Sequence, residues 1–286
     1  METMHVPEDW KNAAQSIFGR GLRKILVLGA SDRGKSTFCT YLAWYLLRQG
    51  MQPAIIDADV GQKDIGPPAT VTLGYPDLNQ PLSRLQPAGI YFVGAVTPVA
   101  HFLPMIVGTR QLLDRTNAPF VIINTSGLIQ GVGEILKAYQ IDSLQPDAIV
   151  ALARGRELNA ILTAHRHFRI LRLHPSSHAR LKSPQFRFER RQAAFRRYFR
   201  RAKAFALNRN VVNLQRLPTR GRPPLETLLS ANLLCGLADA HQKPLGLGLI
   251  QRFDSHKQRI FISSPVNRDA VKVLQWSDLR LDPADG

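Results

Sequence analysis

Residues 29–37 combine residue types and a spacing that can hold a phosphate group. The segment reads Gly-Ala-Ser-Asp-Arg-Gly-Lys-Ser-Thr and satisfies the pattern GxxxxGK[ST] in full. Glycines let such a loop wrap closely, so that backbone N–H groups and the positive end of the following helix face phosphate oxygens. Lys35 would then bridge the β- and γ-phosphates, and the Ser36 hydroxyl would reach Mg²⁺. The sequence therefore predicts a nucleotide site at Gly29, Ala30, Ser31, Asp32, Arg33, Gly34, Lys35, Ser36 and Thr37.

Two carboxylates follow the next apolar run of the chain. Asp57 and Asp59 stand in the stretch DADVGQ at positions 57–62, at the end of the predicted strand 54–57. Ligands of open α/β sheets bind at the carboxyl ends of strands, and side chains two residues apart on a strand face the same way. We therefore expect both aspartates, with Ser36, to serve one Mg–nucleotide site, where a carboxylate can also take the proton of an attacking hydroxyl. The alternative is that one aspartate only caps the turn.

The elements that must position these residues alternate along the chain. Near-continuous apolar runs separated by amphipathic stretches predict an α/β fold, with a mostly parallel central sheet flanked by helices. The predicted strands are 24–28, 54–57, 90–93, 120–124, 148–152 and 168–173, and the predicted helices are 36–48, 101–114, 132–139, 156–165 and 184–206. We expect an N-terminal extension over 1–22, a main domain over 23–217, a linker rich in Pro and Gly at 218–224, and a small antiparallel, β-rich domain over 225–286.

The positive charge of the chain is concentrated in one segment. The 286 residues carry a formal net charge of +17, from 38 Lys and Arg against 21 Asp and Glu. Between Arg154 and Arg222 there are 19 basic residues and 2 acidic ones, so the rest of the chain is neutral. Aromatic residues are interleaved with the arginines after residue 185. This pattern favours a polyanionic partner such as nucleic acid, the alternative being a solvated basic face.

Composition excludes several other classes of protein. The longest apolar runs fall far short of the roughly 18 residues that a membrane span needs, so no membrane partner is expected. The first ten residues lack the basic and apolar order of a secretory signal. The two cysteines, Cys39 and Cys235, form no CxxC pair, which argues against a disulfide scaffold and a zinc fold. A reducing cytoplasm is the expected location.

Five stretches of the chain, in order, resemble the polynucleotide 5′-hydroxyl kinases. This family includes the RNA kinase of the pre-mRNA 3′-end cleavage machinery, the pre-ribosomal RNA processing kinase, and shorter archaeal and bacterial relatives. The stretches are 29–37; 57–62 with GPP at 66–68; YFVG at 91–94 with TP at 97–98; NTSG at 124–127 leading to GVG at 131–133; and the arginine-bearing lid, RFERR at 187–191 with RRYF at 196–199. The resemblance covers roughly residue 23 to the end.

The resemblance implies a role for each matched residue. Lys35 and Ser36 would bind the phosphates and Mg²⁺, and Asp59 would activate the 5′-hydroxyl, with Asp57 in support. Gln62 would order the phosphates or the metal-bound water. The lid residues Arg187 and Arg191, one helical turn apart, would stabilise charge on the transferring phosphoryl group. The nucleic-acid contacts implied are Thr97, Thr125, Leu128, Arg196 and Arg197.

The chain departs from its relatives at the substrate clamp. Relatives carry a tryptophan that stacks on a base where Leu128 stands, and a threonine in some of them where Val96 stands, beside Thr97. A leucine keeps apolar contact but loses the aromatic face, whose stacking is worth about 1–3 kcal/mol per base. The substitution weakens the base clamp that the resemblance implies.

Taken together, these features predict an enzyme that uses ATP and Mg²⁺ to phosphorylate the 5′-hydroxyl end of RNA or DNA. A second hypothesis is a regulatory or assembly subunit that binds ATP without transferring phosphate. A GTPase or a small-substrate kinase ranks lower, because the sequence has no NKxD motif and a small substrate needs no segment of +17 charge. The sequence leaves the oligomeric state, any protein partners and the preference between RNA and DNA open.

Overall fold

The structure is a computed structural model that describes residues 4–217 and 231–281. Within these ranges the helices are α1 Glu8–Gly19, α2 Lys35–Arg48, α3 Phe102–Leu113, α4 Val132–Leu144, α5 Asn159–Ala164 and α6 Pro184–Phe199. The strands are β1 Lys24–Leu28, β2 Ala54–Ala58, β3 Thr70–Gly74, β4 Gly89–Phe92, β5 Val121–Thr125, β6 Ala148–Leu152, β7 Ile170–Leu173, β8 Lys203–Asn208, β9 Asn213–Arg216, β10 Leu233–Ala238, β11 Pro244–Asp254, β12 Arg259–Ser264 and β13 Val273–Arg280.

A seven-stranded sheet forms the centre of the fold, in the order β4-β3-β2-β5-β1-β6-β7. The last five strands of that order are parallel, and β3 and β4 form an antiparallel edge. Helices α1 and α2 cover one face, and α3, α4 and α5 cover the other, so the parallel strands are apolar on both sides. The predicted α/β fold is confirmed. Because β2, β5 and β1 are neighbours, the loops after residues 28, 58 and 125 meet at one edge.

A second sheet has the order β8-β12-β11-β10-β13-β9. Its β-rich character was predicted, but two of its strands, β8 and β9, come before the predicted linker, and β9 runs parallel to β13. The predicted helix over 184–206 is too long, because residues 203–208 pair with β12 instead of continuing α6. That pairing buries Leu207, which a solvated helix end would expose. The predicted linker at 218–224 lies outside the described residues.

The two sheets share an apolar cluster that includes the lid helix α6. Phe92 of β4 and Phe195 of α6 pack with Leu234 and Leu247 of the second sheet. Gly236 makes the contact close, since a Cβ there would lie 2.7 Å from the Phe92 side chain. The backbone N–H of Leu247 also donates to the hydroxyl of Tyr198 on α6, at 2.7 Å. The carboxyl-terminal half of the lid is therefore anchored to the second sheet.

Residues 1–22, expected to be an extension, contribute a packed helix. Trp10 and Ile17 of α1 are fully buried against α2. The Trp10 ring meets Phe38 edge to face, with centroids 5.4 Å apart, and its indole N–H donates to the carbonyl of His174 at 2.9 Å. Helix α1 is therefore part of the main core.

Strand β3 is another element that the sequence did not predict.

Three sequence expectations concern the chain as a whole. Among the residues that the structure describes, no helix is both long and apolar enough to cross a membrane. Cys39 and Cys235 are both buried and unpaired. The cytoplasmic location stays a prediction.

Candidate active site

The phosphate loop lies between β1 and α2, as its sequence predicts. Gly34 takes the left-handed conformation, with φ of +88°, and precedes Lys35, the first residue of α2. The loop thus opens on the positive end of a helix. The Lys35 side chain is nearly buried, and its ammonium donates to the carbonyl of Ala30 at 2.9 Å. Burial lowers the pKa of Lys35, so an anionic ligand in the loop would stabilise its charged form.

Asp57 is buried at the end of β2 and organises the neighbouring loop. One of its carboxylate oxygens accepts from the backbone N–H of Asp64 at 2.9 Å, and the other accepts from the Asn124 amide at 3.2 Å. The buried ammonium of Lys63 lies 3.6 Å from the same carboxylate. Burial raises the pKa of Asp57, and the charge of Lys63 opposes that shift. Both carboxylate oxygens of Asp57 already accept hydrogen bonds from the protein. Asp57 therefore holds the loop in place and has no carboxylate oxygen left for a ligand.

Asp59, unlike Asp57, has one carboxylate oxygen without a hydrogen-bond donor among the described residues. Its Oδ1 accepts from the backbone N–H groups of Gly61 and Gln62, both at 3.0 Å. No described residue donates to its second oxygen, and the side chain is only half-buried. The turn therefore fixes one oxygen of Asp59 and presents the other to the site, which suits a group that accepts a proton from a bound hydroxyl.

The same edge holds oxygen atoms that fit Mg²⁺. Asn124 Oδ1 and Gln62 Oε1 are buried without a hydrogen-bond partner among the described residues. The Asn124 amide nitrogen lies 3.3 Å from the Ser36 hydroxyl, which places Ser36 in the same group. Hard oxygen donors from hydroxyl, carboxylate and amide groups are what Mg²⁺ prefers, often through retained water. The residues present fit the ion, with the Ser36 hydroxyl and Asn124 Oδ1 the groups that would face it, since the free oxygen of Asp59 is the one that can accept a proton.

The amino-terminal half of the lid helix contacts both loops of the site. Arg187 pairs with Asp32 of the phosphate loop, and its backbone carbonyl accepts from the Gln62 amide at 3.3 Å. Arg190 pairs with Asp64 at 3.0 Å. The Ser183 hydroxyl caps this end of α6 by accepting from the Phe186 N–H. The lid therefore closes over the phosphate loop and the DADVGQ loop together.

Arg191 stands one turn from Arg187 and differs from it in its partners. It lines a small space with Gly61 and Gln62, next to the DADVGQ loop. No carboxylate among the described residues pairs with it, and burial, with the charge of Arg187, lowers its pKa. A partly buried guanidinium beside the reacting loop, with no anionic partner in the described part of the chain, is arranged to bind an anionic ligand.

Lys137 is a site residue that the sequence did not indicate. It lies on α4, is fully buried, and donates to the Ser126 hydroxyl at 3.2 Å and to Gln140 Oε1 at 3.3 Å, with no ion pair to a described residue. Ser126 precedes Gly127, where a Cβ would lie 2.3 Å from the Ser31 hydroxyl of the phosphate loop. Burial and the charge of Lys35 lower the pKa of Lys137 to about 7. A second lysine thus lies directly behind the phosphate loop.

Replacing Lys137 by methionine is expected to stabilise the nucleotide-free protein. The lysine stays protonated in the unfolded chain up to its ordinary pKa of 10.5, whereas the folded protein releases the proton above about 7. The cost of burying the charge is therefore complete below pH 7 and declines as the pH rises towards 10.5. Calorimetry should find a larger gain in melting temperature for Lys137→Met at pH 6 than at pH 9. A gain that is equal at both pH values, or that Lys137→Arg shares, would contradict this account.

A cavity of about 790 Å³ opens beside the phosphate loop. Asp32, Gly34 and Thr37 line it, and the Trp10 ring lies next to Gly34. The remaining lining comes from the N-terminal residues, the segment before the lid and the first turn of the lid helix, namely Met4, His5, Ser176, His178, Ala179, Arg180, Leu181, Lys182, Ser183 and Phe186. Its volume lies in the usual range of small-molecule sites, roughly 300–1,000 Å³. The cavity has the size and place to hold the nucleoside of a bound nucleotide.

The residues expected to contact nucleic acid occupy three different environments. Thr97 is exposed, and Leu128 is half-buried against Gly133 of α4. Thr125 is fully buried and donates to the carbonyl of Val27, so it has no surface for a ligand and its expected contact is wrong. Arg196 and Arg197 are exposed on the lid helix.

One phosphate-loop side chain also points away from the site. Arg33 forms a two-pronged contact with Glu157, at 2.8 and 3.0 Å, which raises the pKa of Arg33 and lowers that of Glu157. Its backbone can still serve the loop, as in the general pattern. The side chain of Arg33 instead ties the loop to the segment after β6.

Comparison with known proteins gives consistent matches. The family described as mRNA cleavage and polyadenylation factor CLP1 P-loop matches residues 29–201. A polyribonucleotide 5′-hydroxyl-kinase of Pyrococcus furiosus is 42% identical over 216 residues, which are 73% of this chain and 61% of that protein. A polyribonucleotide 5′-hydroxyl-kinase of Methanocaldococcus jannaschii is 30% identical and aligns over 98% of this chain and 93% of its own length. The chain thus spans about three fifths of the first relative and nearly all of the second.

Solved structures match at the level of the fold. The wild-type Clp1p–Pcf11p (454–563) complex contains a chain that superposes with a TM-score of 0.71 at 14% sequence identity, covering 96% of this chain and 80% of that one. The likeness includes both sheets, because the coverage extends over nearly the whole sequence.

Proposed function

The chain belongs to the mRNA cleavage and polyadenylation factor CLP1 P-loop family, and from that premise we propose that it is an ATP-dependent polynucleotide 5′-hydroxyl kinase. The observation that carries the proposal is the convergence of three groups at one edge of the central sheet: the phosphate loop, the free oxygen of Asp59, and the lid arginines. Phosphoryl transfer needs these three functions, which are to hold the γ-phosphate, orient the acceptor hydroxyl and stabilise the transferred charge.

Each step is assigned to a residue of the chain. The loop N–H groups and Lys35 hold the β- and γ-phosphates of ATP, while the cavity beside Trp10 receives the nucleoside. Asp59 accepts the proton of the 5′-hydroxyl. At the same time the hydroxyl oxygen forms a bond to the γ-phosphorus, the bond between that phosphorus and the β–γ bridging oxygen breaks, and ADP leaves. Arg191 stabilises the charge on the transferring group. Mg²⁺, held through Ser36 and Asn124, would neutralise charge on the phosphate oxygens of ATP.

RNA is the proposed acceptor. The two archaeal relatives are named as polyribonucleotide kinases, and the lid helix brings exposed arginines to the site. The apolar Leu128, at the position of a base-stacking tryptophan in relatives, supports a looser grip on the first base. The substrate is thus held mainly through its phosphates.

Transfer of labelled γ-phosphate from ATP to an oligonucleotide with a 5′-hydroxyl tests the proposal, with RNA and DNA strands in parallel. We expect label on the RNA strand with the wild-type protein and none with Lys35→Ala, because that change removes the loop cation that faces the phosphates, while the other, Arg33, is held by Glu157. Lys35→Ala should also weaken ATP binding, which equilibrium titration measures. ATP binding without transfer to either strand would contradict the kinase and support a regulatory subunit.

A further inference from the structure

A concave, basic surface runs from the lid helix onto the second sheet. Two adjoining cavities, of about 500 and 430 Å³, share Arg201 and Pro265. The first lies between α6 and the turn at 83–87, and the second lies between β8 and the turn at 264–268. Among the described residues, their linings contain no acidic side chain and six basic ones: Arg84, Arg197, Arg200, Arg201, Lys203 and Arg268. We refer to this surface as the basic groove.

The charges of the basic groove are not neutralised within the described part of the chain. All six side chains are exposed, and none forms an ion pair with a described residue. The other half of the lid is different, since Arg187 and Arg190 pair with Asp32 and Asp64. Burial and the neighbouring Arg190 also lower the pKa of Arg197, a sign that like charges are crowded there. The groove therefore favours an anionic ligand that supplies several negative charges in a row.

The basic groove is continuous with the candidate active site. Ala194 lines both the groove and the small space that contains Gln62 and Arg191. The groove thus begins about one helical turn beyond Arg191, at Ala194, and six further residues carry it about 9 Å, to Arg200 at the end of α6. A chain molecule with its end at Asp59 can follow α6 into the groove.

We propose that the basic groove binds the sugar–phosphate backbone of a single-stranded polynucleotide, several nucleotides beyond the 5′ end that receives the phosphate. The identity of the strand rests on the proposed function. Phosphate contacts position a strand without reading its sequence, and they suit the row of arginine side chains along α6 and β8. The second sheet, through Lys203 and Arg268, then takes part in holding the substrate.

Binding at different salt concentrations tests the groove directly. The variant Arg200→Gln, Arg201→Gln, Arg268→Gln removes three charges, and the ligand is an RNA of roughly twelve nucleotides with a 5′-phosphate, so that no transfer occurs. The logarithm of the binding constant falls as the logarithm of the salt concentration rises, and each phosphate contact contributes about −0.7 to that slope. Loss of three contacts should therefore make the slope about 2 less negative. The matched control is Arg20→Gln, Arg48→Gln, Arg115→Gln, which removes three exposed charges at the opposite edge of the central sheet. It should retain the wild-type slope.

Kinetics with acceptors of two lengths provide the second measurement. A dinucleotide ends before the groove, whereas the longer RNA reaches it, so the ratio of kcat/KM for the long acceptor to that for the short one should fall about tenfold in the groove variant. An unchanged salt slope and length ratio would overturn the proposal, as would equal losses in the control variant. Absence of transfer by the wild-type protein would refute the proposed function, while the binding measurement would still test the groove.

Discussion

Replacing Arg191 by alanine is expected to lower kcat for phosphoryl transfer by about 10³–10⁵-fold, with little change in ATP affinity. Arg191 lies beside the DADVGQ loop without a carboxylate partner among the described residues, and its charge is partly desolvated. Such a charge gains most when the transferring phosphoryl group carries negative charge near it. Single-turnover transfer and equilibrium ATP binding separate the two effects.

Two further variants check the assignment of Arg191. Arg191→Lys keeps a positive charge but loses the planar fork, so it should recover only a small part of the rate. Arg187→Ala should cost less, because Arg187 is already paired with Asp32. A loss for Arg191→Ala that appears in ATP affinity and leaves kcat intact would show that the lid binds nucleotide and does not assist transfer.

Asp59→Asn is expected to lower kcat by about 10²–10⁴-fold and to leave the fold and ATP binding intact. Asparagine keeps the oxygen that accepts from the N–H groups of Gly61 and Gln62, so the turn survives. What is lost is the second carboxylate oxygen, the one free to take the proton of the 5′-hydroxyl. Transfer assays under saturating ATP measure the effect.

Asp57→Asn provides the comparison for this prediction. It removes the same charge two residues earlier, but there the carboxylate is buried with Lys63 and organises the loop. Loss of one member of a buried ion pair typically costs about 3–5 kcal/mol of stability, so its melting temperature should fall. Asp59→Asn should melt like the wild type. Wild-type rates in Asp59→Asn would remove it as the general base.

The parts of the fold that the sequence predicts are those with a strong periodic or local pattern. Strands β1, β2, β5 and β6 are apolar on both faces and stand out as uninterrupted runs. The phosphate loop and the DADVGQ loop have fixed spacings, because the backbone N–H groups that they present or bond require them. The site assembles because three of these strands are neighbours in the sheet, which the order of elements alone does not determine.

Strand β3 has no local pattern that predicts it, whereas helix α1 has such a pattern and was still not predicted. Strand β3 reads TVTLG, with two threonines and a glycine, and its burial is imposed by β2 and β4 on either side. Helix α1 did carry a signal, since Trp10, Ala13, Ala14 and Ile17 follow helical spacing. The spacing is typical of a helix, although residues 1–22 were expected to be an extension.

The two buried lysines beside the site were the hardest residues to predict. Lys63 and Lys137 are ordinary surface residues by composition, and only the packed structure buries them beside Asp57 and Ser126. The end of the lid helix was missed for a similar reason, because residues 203–208 are paired by β12, more than fifty residues later in the chain. Contacts distant in sequence decide such features.

The order of the strands in the second sheet limits where the chain can be divided into fragments. Strands β8 and β9 form the two outer strands of that sheet, while the four between them come from residues 233–280. A polypeptide that ended at residue 217 would keep both outer strands without the strands they pair with, and it would expose Phe92 and Phe195 to water. Unpaired strand edges and uncovered aromatic side chains promote aggregation. A division that keeps the second sheet whole therefore has to fall between Phe199 and Lys203, and even there it would uncover the aromatic side chains of Phe92 and Phe195.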